Sequence, residues 1–138
     1  MARYNKYGFV PDQVIAEDWQ LPNATTSSAM TNCVKLDASK SGNLKIIVCA
    51  SSTTVELAGG ATLEFIPKVG TTTTCATVLP SVLITEAVQS DASWASGEII
   101  CEIPIPKLLI GTNKYLELYA KTSADERADY IEAYLVYE

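Results

Sequence analysis

The chain has 138 residues, 48% hydrophobic and 19% charged, which fits one globular domain with its own core and excludes a disordered segment. Ten Lys and Arg against 16 Asp and Glu leave a net charge of −6, so the basic footprint that nucleic-acid phosphates require is missing. There is no histidine for a Ser-His-Asp or Cys-His arrangement. No apolar run approaches the ~18 residues of a membrane-spanning helix.

Residues 1–12 read as an irregular arm. It carries Arg3 and Lys6 with three aromatics, Tyr4, Tyr7 and Phe9, and no acid before Asp12. A basic, aromatic arm on an acidic body suits docking on an acidic partner surface. Residues 13–138 read as the folded domain. Gln13 to Trp19 is a first strand, closed by Leu21-Pro22 and a polar run to Ser28. Thr31 to Leu36 is a second, followed by the turn Asp37-Ala-Ser-Lys-Ser-Gly42. Leu44 to Cys49 is apolar almost throughout, as a central strand buried on both faces should be.

Val55 to Leu57 and Ala61 to Ile66 flank Gly59-Gly60. A two-residue loop would oppose Glu56 to Leu63. A three-residue loop, Ala58 to Gly60, instead opposes Val55 to Leu63 and Leu57 to Ala61, and is the expected register. Thr71 to Thr74 is a surface loop. Cys75 to Thr85 is a strand that Pro80 breaks, which predicts an edge or a bend. Glu86 to Trp94 lacks a helical stripe and reads as loop, with one helical turn over Ile84 to Gln89 as the alternative. Glu98 to Ile105 alternates, with Ile99, Cys101 and Ile103 on one face and Pro104 and Pro106 ending the strand.

Lys114 to Thr122 and Tyr130 to Tyr137 also alternate, and the polar stretch Ser123 to Asp129 lies between them. Read as a hairpin, they put Leu116, Leu118, Ala120, Ile131, Ala133 and Leu135 inward. Tyr115, Tyr119, Tyr130 and Tyr134 then form one outer face, a candidate self-association surface, with Glu117 opposite Glu132. About eight short strands, with no helix and no repeat, predict an all-β antiparallel β-sandwich. The strand count fits a jelly roll.

The chemical motifs are missing. Cys33, Cys49, Cys75 and Cys101 show no C-x2-C spacing, so no metal is expected and the thiols read as small hydrophobes. With no signal peptide ahead of them, a reducing compartment is the expectation, and the sequon Asn23-Ala-Thr25 reads as chance. Gly59-Gly60 sits between strands and does not cradle phosphate. Glu98 and Glu102 on one strand face read as solubilising charges, and Asp125, Glu126 and Asp129 lack a calcium-loop pattern. The expectation is no enzyme, no cofactor, no nucleic acid and no membrane, leaving binding. Trp19 and Trp94 are read either as caps on the ends of the core or as contact residues.

Gly60-Ala-Thr-Leu-Glu-Phe65 and Gly111-Thr-Asn-Lys-Tyr-Leu-Glu-Leu-Tyr119, with Ile103-Pro-Ile-Pro106 and the closing strand Tyr130 to Tyr137, resemble the capsid cement (decoration) proteins of short-tailed bacteriophages. The similarity covers roughly residues 43–66 and 99–138, and the arm is longer and more basic-aromatic than that pattern. The resemblance implies a jelly-roll subunit, made in the host cytoplasm, that binds the outside of the head as a homo-oligomer and reinforces the shell. Its partner would be the major capsid protein, with Arg3, Tyr4, Lys6, Tyr7 and Phe9 as contacts, and a dimer is expected ahead of a trimer. The alternatives are a carbohydrate-binding or adhesin-type jelly roll that stacks sugar on Trp19 or Trp94, and a tail or baseplate sandwich.

Overall fold

A computed structural model describes residues 13–23, 27–37, 43–52, 54–85 and 93–137. The arm and its five candidate contacts lie outside the described residues.

The apolar run of the sequence becomes β4 (Leu44–Ala50), an interior strand hydrogen-bonded on both edges. Its neighbours are β12 (Tyr130–Tyr137) on one side and β10 (Ile99–Ile105) on the other. β1 (Gln13–Gln20) completes a first sheet in the order β1-β12-β4-β10. The second sheet is built on β6 (Thr62–Gly70) and β11 (Tyr115–Thr122), paired from Tyr115↔Gly70 to Thr122↔Leu63. Two short pieces, β2 (Ser28–Ala29) and β3 (Val34–Lys35), flank β11. Two more, β7 (Thr77–Val78) and β8 (Val82–Thr85), flank β6. All these pairs are antiparallel.

With β2 and β3 counted as one interrupted strand, and β7 and β8 as another, the described residues hold eight sandwich strands. Numbered in chain order, the sheets read 1-8-3-6 and 2-7-4-5, the interleaved order of a jelly roll. Each long connection crosses from one sheet to the other, so neither sheet folds without its partner. The inner faces of both supply one buried cluster, with Ile46, Val48, Ile131 and Leu135 from the first and Leu63, Phe65, Leu116 and Leu118 from the second. The expected fold class holds.

Prolines explain the breaks. Pro80 separates β7 from β8, and both pieces lie at the sheet edge, pairing only with β6. Pro104 does not end β10, because β10 is also an edge strand, the position where a sheet tolerates proline. A bulge between Ile99 and Cys101 also breaks the expected alternation. Ile100 enters the core with Ile103 and Ile105, while Ile99 is exposed.

Three expectations need correction. β11 and β12 are not a hairpin: they lie in different sheets, and residues 123–129 are the crossover between them. Val55 does not oppose Leu63. β5 (Val55–Glu56) pairs instead with β9 (Ser93–Trp94), Val55 opposite Trp94, and the Gly-Gly segment is a turn closed by Ala61 N–H donating to the Ala58 carbonyl. Gly60 takes φ +74° there, the left-handed conformation the turn requires. Lastly, Lys107–Ile110 forms a single helical turn, α1, its first N–H donating to Asn43 Oδ1.

Candidate functional site

The four tyrosines do not share a surface. Tyr115 and Tyr119 stand half-buried on the outer face of the second sheet, where the Lys68 ammonium lies 3.9 Å from the centre of the Tyr119 ring. Tyr130 and Tyr134 belong to the outer face of the first sheet, and Tyr134 is fully buried. Its hydroxyl donates to Glu132 Oε2 at 2.7 Å. Around this bond is a polar cluster: Ser51 Oγ lies 3.1 Å from Glu132 Oε1 and 2.8 Å from Asp18 Oδ1, and Ser52 Oγ donates to Asp18 Oδ1 at 2.9 Å. Asp18 has φ 47°, beside the irregular register of β1 and β12. Tyr134 therefore packs within the fold and offers nothing to a second subunit. Because β11 and β12 lie in different sheets, Glu117 does not face Glu132.

The acids of the crossover are inward-facing clamps. Glu126 accepts the Ala58 N–H, at 3.1 Å to Oε2, and Asp129 accepts the Glu56 N–H at 3.3 Å, tying the crossover to β5. Both carboxyls are buried, and burial, outweighing these hydrogen bonds, raises the pKa of each above the ordinary carboxylate value. Asp125 differs: hydrogen bonds from the Arg127 guanidinium hold its exposed carboxyl down at about 2.

Trp94 is a core residue, and half-buried Trp19 packs against the same core. Among the described residues no aromatic side chain is fully exposed, and the two tryptophans sit as the core-capping reading has them, not as the exposed rings that the carbohydrate-binding alternative needs. Aliphatic side chains are exposed instead. Leu108 on α1 is 91% accessible, Val78 is 60% and Leu83 is 59%, the last two on the β7–β8 edge. Sequence reading missed them, because Val82-Leu-Ile-Thr85 looks like a buried run and only pairing shows that Leu83 turns outward opposite Glu64.

The cysteines also hold a feature that motif spacing does not reveal. Cys33 Sγ and Cys75 Sγ are 3.9 Å apart, and a Glu117 carboxylate oxygen completes a set of three atoms all within 4.8 Å of one another. Burial, followed by the hydrogen bond with Cys33, pushes the Cys75 thiol up to about 12. Cys49 is buried, and half-buried Cys101 packs against the core as the expected small hydrophobe.

No family model matches the chain, and no curated protein matches it. Among solved structures, the VP2 subviral particle of infectious bursal disease virus aligns with 91% of this chain and 31% of its own, at 13% identity and a TM-score of 0.48. The structure of the Gt strain of that virus aligns with 92% of this chain and 34% of its own, at 12% identity and a TM-score of 0.41. The chain spans about a third of the length of each. Its fold assignment rests on the strand order. Among the described residues no helix is long and apolar enough to cross a membrane.

Proposed function

We propose that the chain is a non-enzymatic virion structural protein that binds the outside of a short-tailed phage head and cements the shell. The observation that carries this reading is the placement of the resembling segments. Gly60 to Phe65 and Lys114 to Tyr119 are far apart in sequence, yet the first leads into β6 and the second into β11, neighbouring central strands of the second sheet, with Phe65 opposite Ala120 and Tyr119 opposite Ile66. The other two, Ile103 to Pro106 and Tyr130 to Tyr137, reach β10 and β12 of the first sheet, so the resembling segments supply strands to both layers of the jelly roll. Fold alone names no function, since the same sandwich serves capsids and lectins. The placement of Trp19 and Trp94 weighs against the lectin-like alternative.

The mechanism is mass action. A ligand that binds only the assembled lattice stabilises it by RT ln(1 + [L]/Kd), about 2.7 kcal/mol per site at a hundred times Kd. Many equivalent sites make such a term large over a whole shell, and a dimer spanning two capsid subunits gains further through effective concentration. The contacts proposed are the arm residues Arg3, Tyr4, Lys6, Tyr7 and Phe9 on the major capsid protein. Tyr115 and Tyr119, on one sheet, and half-buried Tyr130, on the other, remain the self-association candidates. In the test, full chain and a variant lacking residues 1–11 are sedimented with heads devoid of the protein. The full chain should pellet with the heads while the folded truncation stays in solution. Equal pelleting of both would remove the arm from the contact, and no pelleting of either would overturn the reading.

A further inference from the structure

Cys33, Cys75 and Glu117 come from three separate parts of the chain, and the fold builds the place where they meet. Cys33 directly precedes β3, whose Val34 pairs with Leu116 of β11, and Glu117 is the next residue along β11. Cys75 follows the Thr71–Thr74 loop, which folds back onto the end of β6 at Gly70. A Cβ on Gly70 would come within 2.7 Å of the Thr74 carbonyl oxygen and 2.9 Å of the Cys75 Cα, so only glycine lets the loop approach this closely. Gly70 is the register partner of Tyr115, which brings the returning loop to the β11 segment that carries Glu117.

We propose that these three side chains form a zinc site. Two sulfurs on one tetrahedral zinc, each about 2.3 Å from the metal, lie about 3.8 Å apart. The observed separation is 3.9 Å, so zinc can enter between them with little movement of either side chain. A disulfide would instead bring the sulfurs to about 2.05 Å and remove both as metal ligands, so the test keeps the chain reduced. The donor set, two thiols and a carboxylate, suits borderline-soft zinc over calcium or magnesium, which take oxygen ligands. Water fills the fourth position. On binding, each thiol gives up its proton to solvent and no electron is transferred. Three anionic ligands on a divalent ion leave one negative charge; Lys68 is the register partner of Glu117, and its ammonium rests over the Tyr119 ring. The site staples β3, the β6–β7 loop and β11 together at one end of the second sheet. It is independent of the capsid reading.

The test uses the full chain kept reduced, zinc chloride in competition with a chromophoric chelator, and alkylation of free thiols read by mass spectrometry. One zinc per chain should bind, protecting Cys33 from alkylation. Cys33→Ser and Cys75→Ser should each weaken binding by more than the roughly 10- to 100-fold that loss of an outer-shell partner costs. Glu117→Gln, a change on the sheet surface that leaves the core intact, should weaken it less. Cobalt(II) added to the unsubstituted protein should give a thiolate-to-metal charge-transfer band, a readout that needs no variant to fold. The proposal fails if no zinc binds under reducing conditions, if the Cys33→Ser, Cys75→Ser double variant binds as tightly as the original, or if the reduced chain gives no such cobalt band.

Discussion

The carboxylate of Glu126 accepts the backbone N–H of Ala58 at 3.1 Å, joining the β11–β12 crossover to the segment that follows β5. A stretch of sequence that looks like a solvated acidic turn thus holds two distant parts of the sandwich in place. Glu126→Ala removes a charge-assisted hydrogen bond and should cost about 1–2 kcal/mol. Urea unfolding measures it, and an unchanged midpoint would show that the contact adds nothing.

The same acids set the response to pH. Burial raises Glu126 and Asp129 above their ordinary values of 4.5 and 3.8, so the folded chain takes up these protons at a pH where the unfolded chain has released them. Stability from these groups therefore increases as pH falls from neutral through their raised folded values, and is fully present below the ordinary values. Asp125 and Glu64, both lowered by their partners, act oppositely and only at lower pH. The melting temperature should rise on going from pH 7 towards pH 5. It should rise less in Glu126→Gln, Asp129→Asn; a fall that is equal in both proteins would contradict the assignment.

Much of the fold was legible from residue pattern. Leu44 to Cys49 reads as a central strand because it is apolar on both faces, and the break at Pro80 reads as an edge because proline lacks a donor. The alternation in Tyr115–Thr122 and Tyr130–Tyr137 correctly gave which residues turn inward, but period 2 reports faces and is silent on partners. Two adjacent alternating strands look the same whether they pair or cross between sheets, and this is why the tyrosine face was misplaced. Agreement of packed faces around Gly59-Gly60 failed for the same reason, since Val55 satisfies it equally against Trp94. The cluster of Cys33, Cys75 and Glu117 was invisible because its members are at least 42 residues apart, beyond the reach of any spacing motif.

Gly70→Ala should be costly for a surface-loop junction. The added methyl meets backbone atoms at 2.7 and 2.9 Å, which cannot rotate away as a side-chain tip can. A loss of about 1–3 kcal/mol is expected from the forced shift, read by thermal unfolding, together with loss of zinc binding as Cys75 moves from Cys33. A variant as stable as the original would mean that the loop relaxes freely.

Tyr134→Phe keeps the ring and removes the hydroxyl that donates to Glu132 inside the fold. The buried carboxylate loses one donor, so destabilisation of about 1–3 kcal/mol is expected by denaturant unfolding. A stabilised variant would show that the hydroxyl is a burden rather than a partner.

Leu83→Ser and Leu108→Ser remove exposed aliphatic groups that contribute little to the core, so the stability change should stay within about 0.5 kcal/mol. If either side chain meets the shell, co-sedimentation with heads should weaken in that variant alone; full retention in both would exclude these two side chains from the contact.

If this jelly roll reinforces a capsid from outside, an electron-microscopy reconstruction of heads saturated with the full chain should show added density on the outer surface that fits the two interleaved sheets at a fixed set of lattice positions. Those heads should withstand higher temperature than undecorated ones. Heads unchanged in both outer surface and thermal release of DNA would contradict it.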